Sequence, residues 1–288
     1  MSAPVAGAGS QTRQHATSIV LFQRFVRVPA FWVLIGILGI TLFAPWIAPY
    51  GPTTGDPAAK LLPPSVQHLM GTDSYGFDVL SRVLYATRTD LPVAILSVVI
   101  AVLIGLPVGT LAGYAGGWFD EIAMRFTEIG QSFPQILFAM AIFAAFGNSQ
   151  ATLVAILVVL NVPVYLRMVR SVVIPLREAD YVAAARLSGN GTMSVVIRHV
   201  MPNSLVPVFS QFSLSAAFAI QLIAGLSFLG LGVRLPEPEW GSMISIGAGG
   251  LVFGQWWPSF FPGVAIAVTS YALIGVGNEL RRVVLRER

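Results

Sequence analysis

The sequence predicts an all-α polytopic membrane protein with six transmembrane helices, and three observations lead to this prediction. Hydrophobic residues make up 55% of the 288 positions and charged residues only 10%, with a mean hydropathy of +0.76. The apolar residues are gathered in runs of about 20 residues, the length that an α-helix needs to cross a bilayer. Within each run they are continuous rather than alternating, which favours helices over the strands of a membrane barrel.

Six apolar runs follow one another along the chain and define the predicted organisation. They cover residues 30–50, 91–115, 127–147, 150–170, 204–232 and 257–279. The other predicted segments are an N-terminal tail (1–29), a long loop with a short interfacial helix (51–90), a polar loop (175–203) inside the transmembrane core (91–280), and a C-terminal tail (281–288). The first run is long and lacks a convincing small-residue cleavage site, so it is predicted to be an uncleaved span rather than a signal peptide.

The distribution of positive charge predicts the orientation of these spans. If the N-terminus is inside, 13 of the 17 lysine and arginine residues lie on the inner side. The other four, Lys60, Arg82, Arg88 and Arg234, lie outside. Because lysine and arginine are enriched in cytoplasmic loops, both termini and the polar 171–203 passage are predicted to be cytoplasmic.

The residues that the chain lacks disfavour several classes of function. Lys60 is the only lysine, so a GxxxxGK[ST] phosphate-binding loop is absent and any ATP must be hydrolysed by another chain. There is no cysteine, and none of the three histidines lies in a predicted span, so the residues predict no metal site, no cofactor and no nucleophile–base pair of an intramembrane enzyme. The basic residues flank apolar segments, which indicates contact with membrane lipid rather than with nucleic acid.

The middles of the predicted spans contain no ionisable residue. Ion-coupled carriers often place carboxylates or histidines at mid-membrane to hold the coupling ion, so their absence argues for an external motor. Carbonyl and hydroxyl oxygens can also coordinate an ion. The alternative of a self-contained channel or an ion-coupled secondary transporter therefore stays open at this stage.

One helix face in the second predicted span is formed by glycines. They recur every four residues, at Gly105, Gly109 and Gly113. A face without side chains lets two helices approach closely. The pattern predicts helix packing, either within this chain or at a contact with another subunit.

A second face of small residues, in the fifth predicted span, is weakly polar. Its members are Ser210, Ser213, Ala217 and Gln221, spaced three, four and four residues apart. Such a face suits a translocation path better than it suits lipid. Hydrogen bonding between helices of the bundle is the alternative explanation.

The passage YVAAARLSGNGTMSVVIRHVMPN, residues 181–203, is too polar and too broken to lie in lipid. Residues 175–188 predict one short helix, with Pro175 at its start and Gly189 as its stop, and TMSVVIRHV predicts a second before Pro202. The result is a helix–turn–helix elbow that projects into the cytoplasm. Taken alone, a loop of this kind is more often a solvated connector.

The spacing inside this elbow resembles the EAA motif of bacterial ABC-importer permeases. That motif has Glu-Ala-Ala, a glycine four residues after the last alanine and a proline thirteen residues beyond the glycine, a spacing matched by Ala184, Ala185, Gly189 and Pro202. Three further stretches are similar to the second-permease type of the dipeptide/oligopeptide/nickel branch. They are HLMGTDSYGFDVLSRVLYATR, LSFLGLGVRLPEPEWGSMI and WWPSFFPGVAI, so the resemblance runs from about residue 60 to residue 280.

The resemblance implies a permease subunit of a bacterial plasma-membrane importer that conducts peptides or a related small solute inward. It implies four partners: a second, homologous permease that completes a heterodimer of twelve spans, two cytoplasmic ATPase subunits, and an extracytoplasmic substrate-binding protein. The elbow would be the helix that couples the permease to the ATPases. The residues assigned to this contact are Asp180, Ala183, Ala184, Ala185, Gly189, Arg198 and Pro202.

Three positions depart from the family pattern. Ala183 occupies the glutamate position of the motif, so the acidic contact would have to come from Asp180 or Glu178. Phe77 stands where the family usually has a basic residue, and GNELRR at 277–282 replaces the usual Gly-Asp-Gly-Leu-Arg-Asp ending. None of these changes removes the predicted elbow.

Overall fold

The computed structural model of the chain describes residues 28–233 and 235–286, and the regular secondary structure in this part is helical. The helices are α1 (Pro29–Ile47), α2 (Val79–Ala115), α3 (Gly117–Ser132), α4 (Gln135–Phe146), α5 (Gln150–Leu176), α6 (Asp180–Leu187), α7 (Thr192–Val195), α8 (Met201–Phe228), α9 (Trp240–Ala248) and α10 (Trp257–Arg286). A π-helical turn, Val196–Val200, joins α7 to α8, and 3₁₀ turns lie at Pro57–Ala59 and Leu251–Phe253. The predicted all-α membrane fold is confirmed, while residues 1–27 of the predicted N-terminal tail lie outside the described residues.

Five of the described helices are long and apolar enough to cross a membrane, namely α1, α2, α5, α8 and α10. The third predicted span, 127–147, is not a straight helix. It is shared between α3 and α4, which meet at an angle of 91°. The break lies at Phe133, which has an extended backbone with ψ of 140° because the proline that follows it disfavours the helical conformation.

The loop predicted at 51–90 is shorter in the structure, because α2 begins at Val79 rather than at residue 91. Asp78 caps the helix by accepting a hydrogen bond of 2.8 Å from the Ser81 backbone N–H. The polar residues Arg82 and Asp90 lowered the hydropathy of this stretch, yet both are buried against other segments of the chain. The prediction of a separate interfacial helix here is therefore wrong.

The glycine face of α2 packs against α5. A methyl group on Gly109 would lie 2.6 Å from the backbone oxygen of Leu166, and one on Gly105 would lie 2.7 Å from Cβ of Tyr165. At Gly113 the nearest atom would be the Arg170 backbone oxygen, at 2.9 Å. The three glycines thus allow close contact between two helices of this chain.

Replacing Gly109 by alanine is expected to destabilise the helix bundle. The methyl group has no space against the rigid α5 backbone, and overpacking of this kind costs about 1–3 kcal/mol. Gly39→Ala in α1 is the matched control, because nothing lies within 4 Å of its added methyl group and alanine favours a helix by about 1 kcal/mol. Thermal unfolding in detergent should show a melting temperature several degrees lower for Gly109→Ala only. Equal melting temperatures for the two variants would contradict this packing.

Hydrogen bonds show which loops share an end of the bundle. At one end, the Arg82 guanidinium donates to the backbone oxygens of Pro52, at 2.9 Å, and Pro236, at 3.0 Å. At the same end, Asn148 bonds to the backbone of Gly230 and Gly232, at 3.3 and 2.9 Å. The loops before α2, before α5 and after α8 therefore lie together, and we call this the outer end.

The opposite, inner end is held by arginines. Arg170 of α5 pairs with Asp120 at the start of α3, with one of the two hydrogen bonds at 2.6 Å. Arg177 donates to the Gly113 backbone oxygen at 3.3 Å. The chain thus enters α3 at the inner end and leaves α4 near Asn148 at the outer end. The bent pair connects the two ends, so the described residues make six passages when this pair is counted as one span.

Candidate functional site

The elbow lies at the inner end and turns sharply at Gly189. The backbone N–H of Gly189 donates to the Arg186 oxygen at 3.0 Å, and that of Asn190 donates to the Ala185 oxygen at 3.3 Å. These two bonds form the Schellman motif that ends a helix, with Gly189 at φ of +81°. Glycine adopts this left-handed conformation without strain, whereas residues with a Cβ atom are strained there.

One face of the elbow is packed onto the transmembrane core. Val182, Val195 and Val200 are fully buried, and Ala185 is nearly so. The Arg186 guanidinium lies 5.0 Å from the centre of the Tyr114 ring and donates to its hydroxyl at 3.0 Å. The elbow is therefore anchored to the inner end of α2 rather than suspended as a flexible loop.

The face of the elbow that points away from the transmembrane core is apolar and exposed. Its four large hydrophobic side chains are Tyr181 (41% exposed), Leu187 (89%), Met193 (58%) and Ile197 (50%), and we call them the elbow patch. Polar residues are exposed among them, including Asp180, Ser188 and Arg198. This mixture distinguishes the patch from the lipid-facing surface of a span, because side chains of this polarity are hydrated. An exposed apolar cluster with a polar rim is typical of a protein contact.

The residues predicted for the coupling contact divide between the two faces. Ala185 is buried against the core, and the others are exposed. The exposed members are Asp180, Ala183, Ala184, Gly189, Arg198 and Pro202. Ala183, which replaces the motif glutamate, is thus on the accessible side together with Asp180.

Two details of the predicted elbow are wrong. Pro175 does not begin its first helix but lies in the last turn of α5, and the short helix begins at Asp180. The second short helix is not separate from the following span, because α7, the π-helical turn and α8 are continuous through Pro202. Proline lacks a backbone N–H, and Pro202 directly follows Met201, whose N–H already bonds to the Val196 oxygen in the π-helical pattern rather than in the regular i→i−4 pattern. The elbow patch was not predicted from the sequence. Its members lie in α6, in α7 and in the π-helical turn, and the turn at Gly189 brings them together.

The weakly polar face predicted to line a path is mostly covered by this chain. Ser210, Ser213 and Ala217 are buried. A methyl group on Gly277 of α10 would lie 2.9 Å from Cβ of Ser213, which shows how closely α8 and α10 pack there. Gln221, the fourth member, is exposed.

The adjacent face of α8 borders an open cavity of about 260 Å³. Its lining includes the side chains of Gln135, Asn161, Gln211, Ser215, Phe218 and Leu222, and we call it the amide groove. A second cavity of about 230 Å³ adjoins it and shares Gln135 and Leu160. The three amides come from α4, α5 and α8, so no periodicity along one helix indicates them.

The three outer stretches that carry the resemblance meet in space. The Trp240 backbone N–H donates to the Asp90 carboxylate at 3.2 Å, and the Trp240 indole donates to the Val83 oxygen at 3.1 Å. The Trp257 indole donates to the Thr72 oxygen at 3.0 Å. Glu239 caps α9 through hydrogen bonds of 2.7 Å from two backbone N–H groups, and burial raises the pKa of its carboxyl. These residues join the outer loops to α2.

Comparison with known proteins identifies the family. Residues 105–284 match the family described as binding-protein-dependent transport system inner membrane component, and residues 22–64 match the N-terminal transmembrane domain of oligopeptide transport permease C.

Curated relatives cover most of the chain. The dipeptide transport system permease protein DppC of Alkalihalophilus pseudofirmus is 37% identical over 86% of this chain and 82% of its own length. The probable D,D-dipeptide transport system permease protein DdpC of Escherichia coli is 36% identical over 86% and 83%. The glutathione transport system permease protein GsiD of Pectobacterium atrosepticum is 34% identical over 90% and 88%. The resemblance predicted from the elbow and the outer stretches is confirmed, and the chain is a multi-pass permease that belongs to the family of binding-protein-dependent transport system inner membrane components.

Proposed function

We propose that this chain is one transmembrane subunit of an ATP-driven importer of peptides or a related small solute. The relatives named above are permeases for dipeptides, D,D-dipeptides and glutathione, which supports a short peptide as the substrate. In this proposal a second, homologous permease pairs with this chain. Two cytoplasmic ATPases supply the energy, and an extracytoplasmic binding protein delivers the substrate.

The observation that carries the proposal is the elbow patch. Tyr181, Leu187, Met193 and Ile197 expose apolar surface at the inner end, beside charged and polar side chains. Leu187, at 89% exposure, has almost no contact within its own chain. Burying such a side chain in a partner stabilises a complex by about 1.5–3 kcal/mol. The ATPase is the partner that an importer brings to this side of the membrane.

In this proposal the chain is a multi-pass protein of the bacterial plasma membrane, and both of its termini lie in the cytoplasm. The described part of the inner end carries Arg125, Arg167, Arg170, Arg177, Arg186 and Arg198, whereas Lys60, Arg82 and Arg88 lie toward the outer end. Six passages return the chain to the side on which it began. Because the inner end carries more arginine and lysine residues than the outer end, the positive-inside rule supports a cytoplasmic location for the inner end.

The structure also suggests how a movement of the elbow would reach the substrate. The elbow is bonded to α2 through Arg186 and Tyr114, follows α5 after three residues and continues directly into α8. A displaced elbow would therefore move α2, α5 and α8 together. Since α5 and α8 both line the amide groove, ATP-driven motion at the inner end would change access to it.

Reconstitution in liposomes tests the proposal against a self-contained channel or ion-coupled carrier. Dipeptide uptake should require this chain, the second permease, both ATPases, the binding protein and ATP. Omission of the ATPases should reduce uptake to the background of empty liposomes. Dipeptide transport by this chain alone, or driven by an ion gradient without ATP, would contradict the proposal.

A further inference from the structure

The amide groove has a polarity that lipid does not explain. Asn161 lies near the middle of α5, and Gln211 lies on the apolar helix α8. Amide groups that face hydrocarbon without hydrogen-bond partners are unfavourable, so residues of this type in spans mark protein contacts or a water-filled path. The groove is open on one side, where Phe218 is 58% exposed. It is therefore placed to face the substrate path between two permeases.

The amides have hydrogen-bonding capacity that the chain itself does not use. Asn161 donates to the Leu157 backbone oxygen at 2.8 Å, which leaves its side-chain oxygen available. Gln211 makes one long contact, 3.4 Å, to the Ser215 hydroxyl. The side chain of Gln135 makes no hydrogen bond to any other residue in the described part of the chain. The groove thus presents both donors and acceptors to a ligand.

The lining of the groove is uncharged, and Arg167 donates a hydrogen bond to Gln131 of the second cavity. No charged residue is found among the described residues that line either of the two adjoining cavities. Apolar side chains such as Leu160, Val164 and Leu222 supply the remaining wall. A peptide backbone has the complementary chemistry, because each unit offers one N–H donor and one C=O acceptor beside a variable side chain. The two cavities together fall in the range of about 300–1,000 Å³ that small-molecule sites occupy.

We propose that the amide groove is the section of the translocation path that holds the peptide backbone, and that it accepts peptides irrespective of their net charge. This inference rests on the proposed function. Gln135, Asn161 and Gln211 would bind backbone amides during passage, while the apolar wall contacts peptide side chains.

The test uses the complete transporter in liposomes, with neutral Ala-Ala, cationic Lys-Ala and anionic Glu-Ala as substrates. Asn161→Leu is nearly isosteric, Gln211→Leu shortens the side chain by one methylene group, and both remove the side-chain hydrogen bonds. Each should reduce the uptake of all three dipeptides by a common factor of about tenfold. Co-purification of the second permease and both ATPases with each variant should equal that of the parent complex, which shows that the substitutions leave assembly intact.

Gln211→Glu supplies a readout that a purely structural residue would not give. A carboxylate in the groove should reduce uptake of Glu-Ala by at least about fivefold more than uptake of Lys-Ala, since like charges repel strongly in a site of low dielectric constant. Gln221→Leu tests the alternative location of the path, because it removes an exposed amide from another face of the same helix. Loss of uptake in that variant alone would place the path on the face predicted from the sequence and overturn our inference.

Two results separate this inference from the proposed function. If the parent complex transports dipeptides and both leucine variants do so equally well, the groove does not bind the backbone and only the inference fails. If the parent complex transports none of the three dipeptides with its binding protein and ATP present, the proposed function itself fails.

Discussion

A transporter with Gly189→Val is expected to reach the membrane and to assemble with its partner permease. Its rate of substrate uptake should nevertheless fall at least about tenfold, the factor that corresponds to about 1.4 kcal/mol of lost coupling free energy. Gly189 has a φ of +81°, and a β-branched residue in this region is strained by about 1–2 kcal/mol. The bundle tolerates such strain because nothing lies within 4 Å of the position of an added Cβ atom. The strain instead displaces α6 relative to α7, which together carry the elbow patch.

Gly189→Asn is the matched control for this prediction. Asparagine is larger than glycine and polar, but it adopts the left-handed conformation far more readily than valine does. We expect the asparagine variant to retain uptake within about threefold, in keeping with a smaller backbone strain. Membrane levels and permease pairing, measured on purified membranes, should be equal for the two variants. If Gly189→Val transports as well as the parent, the elbow is only a connector.

Leu187→Asp is expected to weaken the association of the ATPases about a hundredfold, which corresponds to about 2.7 kcal/mol. Two effects act in the same direction. The apolar contact of the leucine, about 1.5–3 kcal/mol when buried, is lost. A carboxylate must then be dehydrated at the contact, which costs further free energy unless it meets a cation. Binding of detergent-purified ATPase to the permease pair, measured by surface plasmon resonance, gives the dissociation constant.

The control for Leu187→Asp is Val252→Asp. Val252 is also apolar and is 87% exposed, but it lies in the 3₁₀ turn at the outer end. This change should leave the dissociation constant of the ATPase within about twofold, as is usual for a surface substitution away from a contact. Equal effects of the two substitutions, or none at Leu187, would show that the elbow patch is not the ATPase contact.

The features predicted correctly from the sequence are those that depend on local pattern. The apolar runs predicted the membrane fold because a spanning helix must satisfy its own backbone hydrogen bonds. The four-residue spacing of Gly105, Gly109 and Gly113 placed them on one helix face, and α5 packs against that face. The spacing of Ala185, Gly189 and Pro202 predicted the elbow and, through the resemblance, the family.

The features that were missed depend on residues distant in the sequence. Arg82 and Asp90 made the start of α2 look like a loop, and their partners Pro236 and Trp240 lie about 150 residues later. The bend at Phe133 was concealed by the apolar residues on both sides, although Pro134 is a local signal for it. The amide groove combines single residues from three helices, so it becomes visible only when the helices are packed together.

The central claim, that the elbow patch contacts a cytoplasmic ATPase, is tested most directly by crosslinking. The chain contains no cysteine, so Leu187→Cys introduces a single reactive thiol without any background in this subunit. Val66→Cys, at a position 90% exposed in the outer loop, is the control. With benzophenone-4-maleimide attached to the introduced thiol and the assembled transporter irradiated in membranes, our account predicts a photocrosslink to an ATPase subunit from the Leu187→Cys variant and none from the Val66→Cys variant. A crosslink to the ATPase from Val66→Cys, or labelling of Leu187→Cys in intact cells by a membrane-impermeant maleimide, would contradict it.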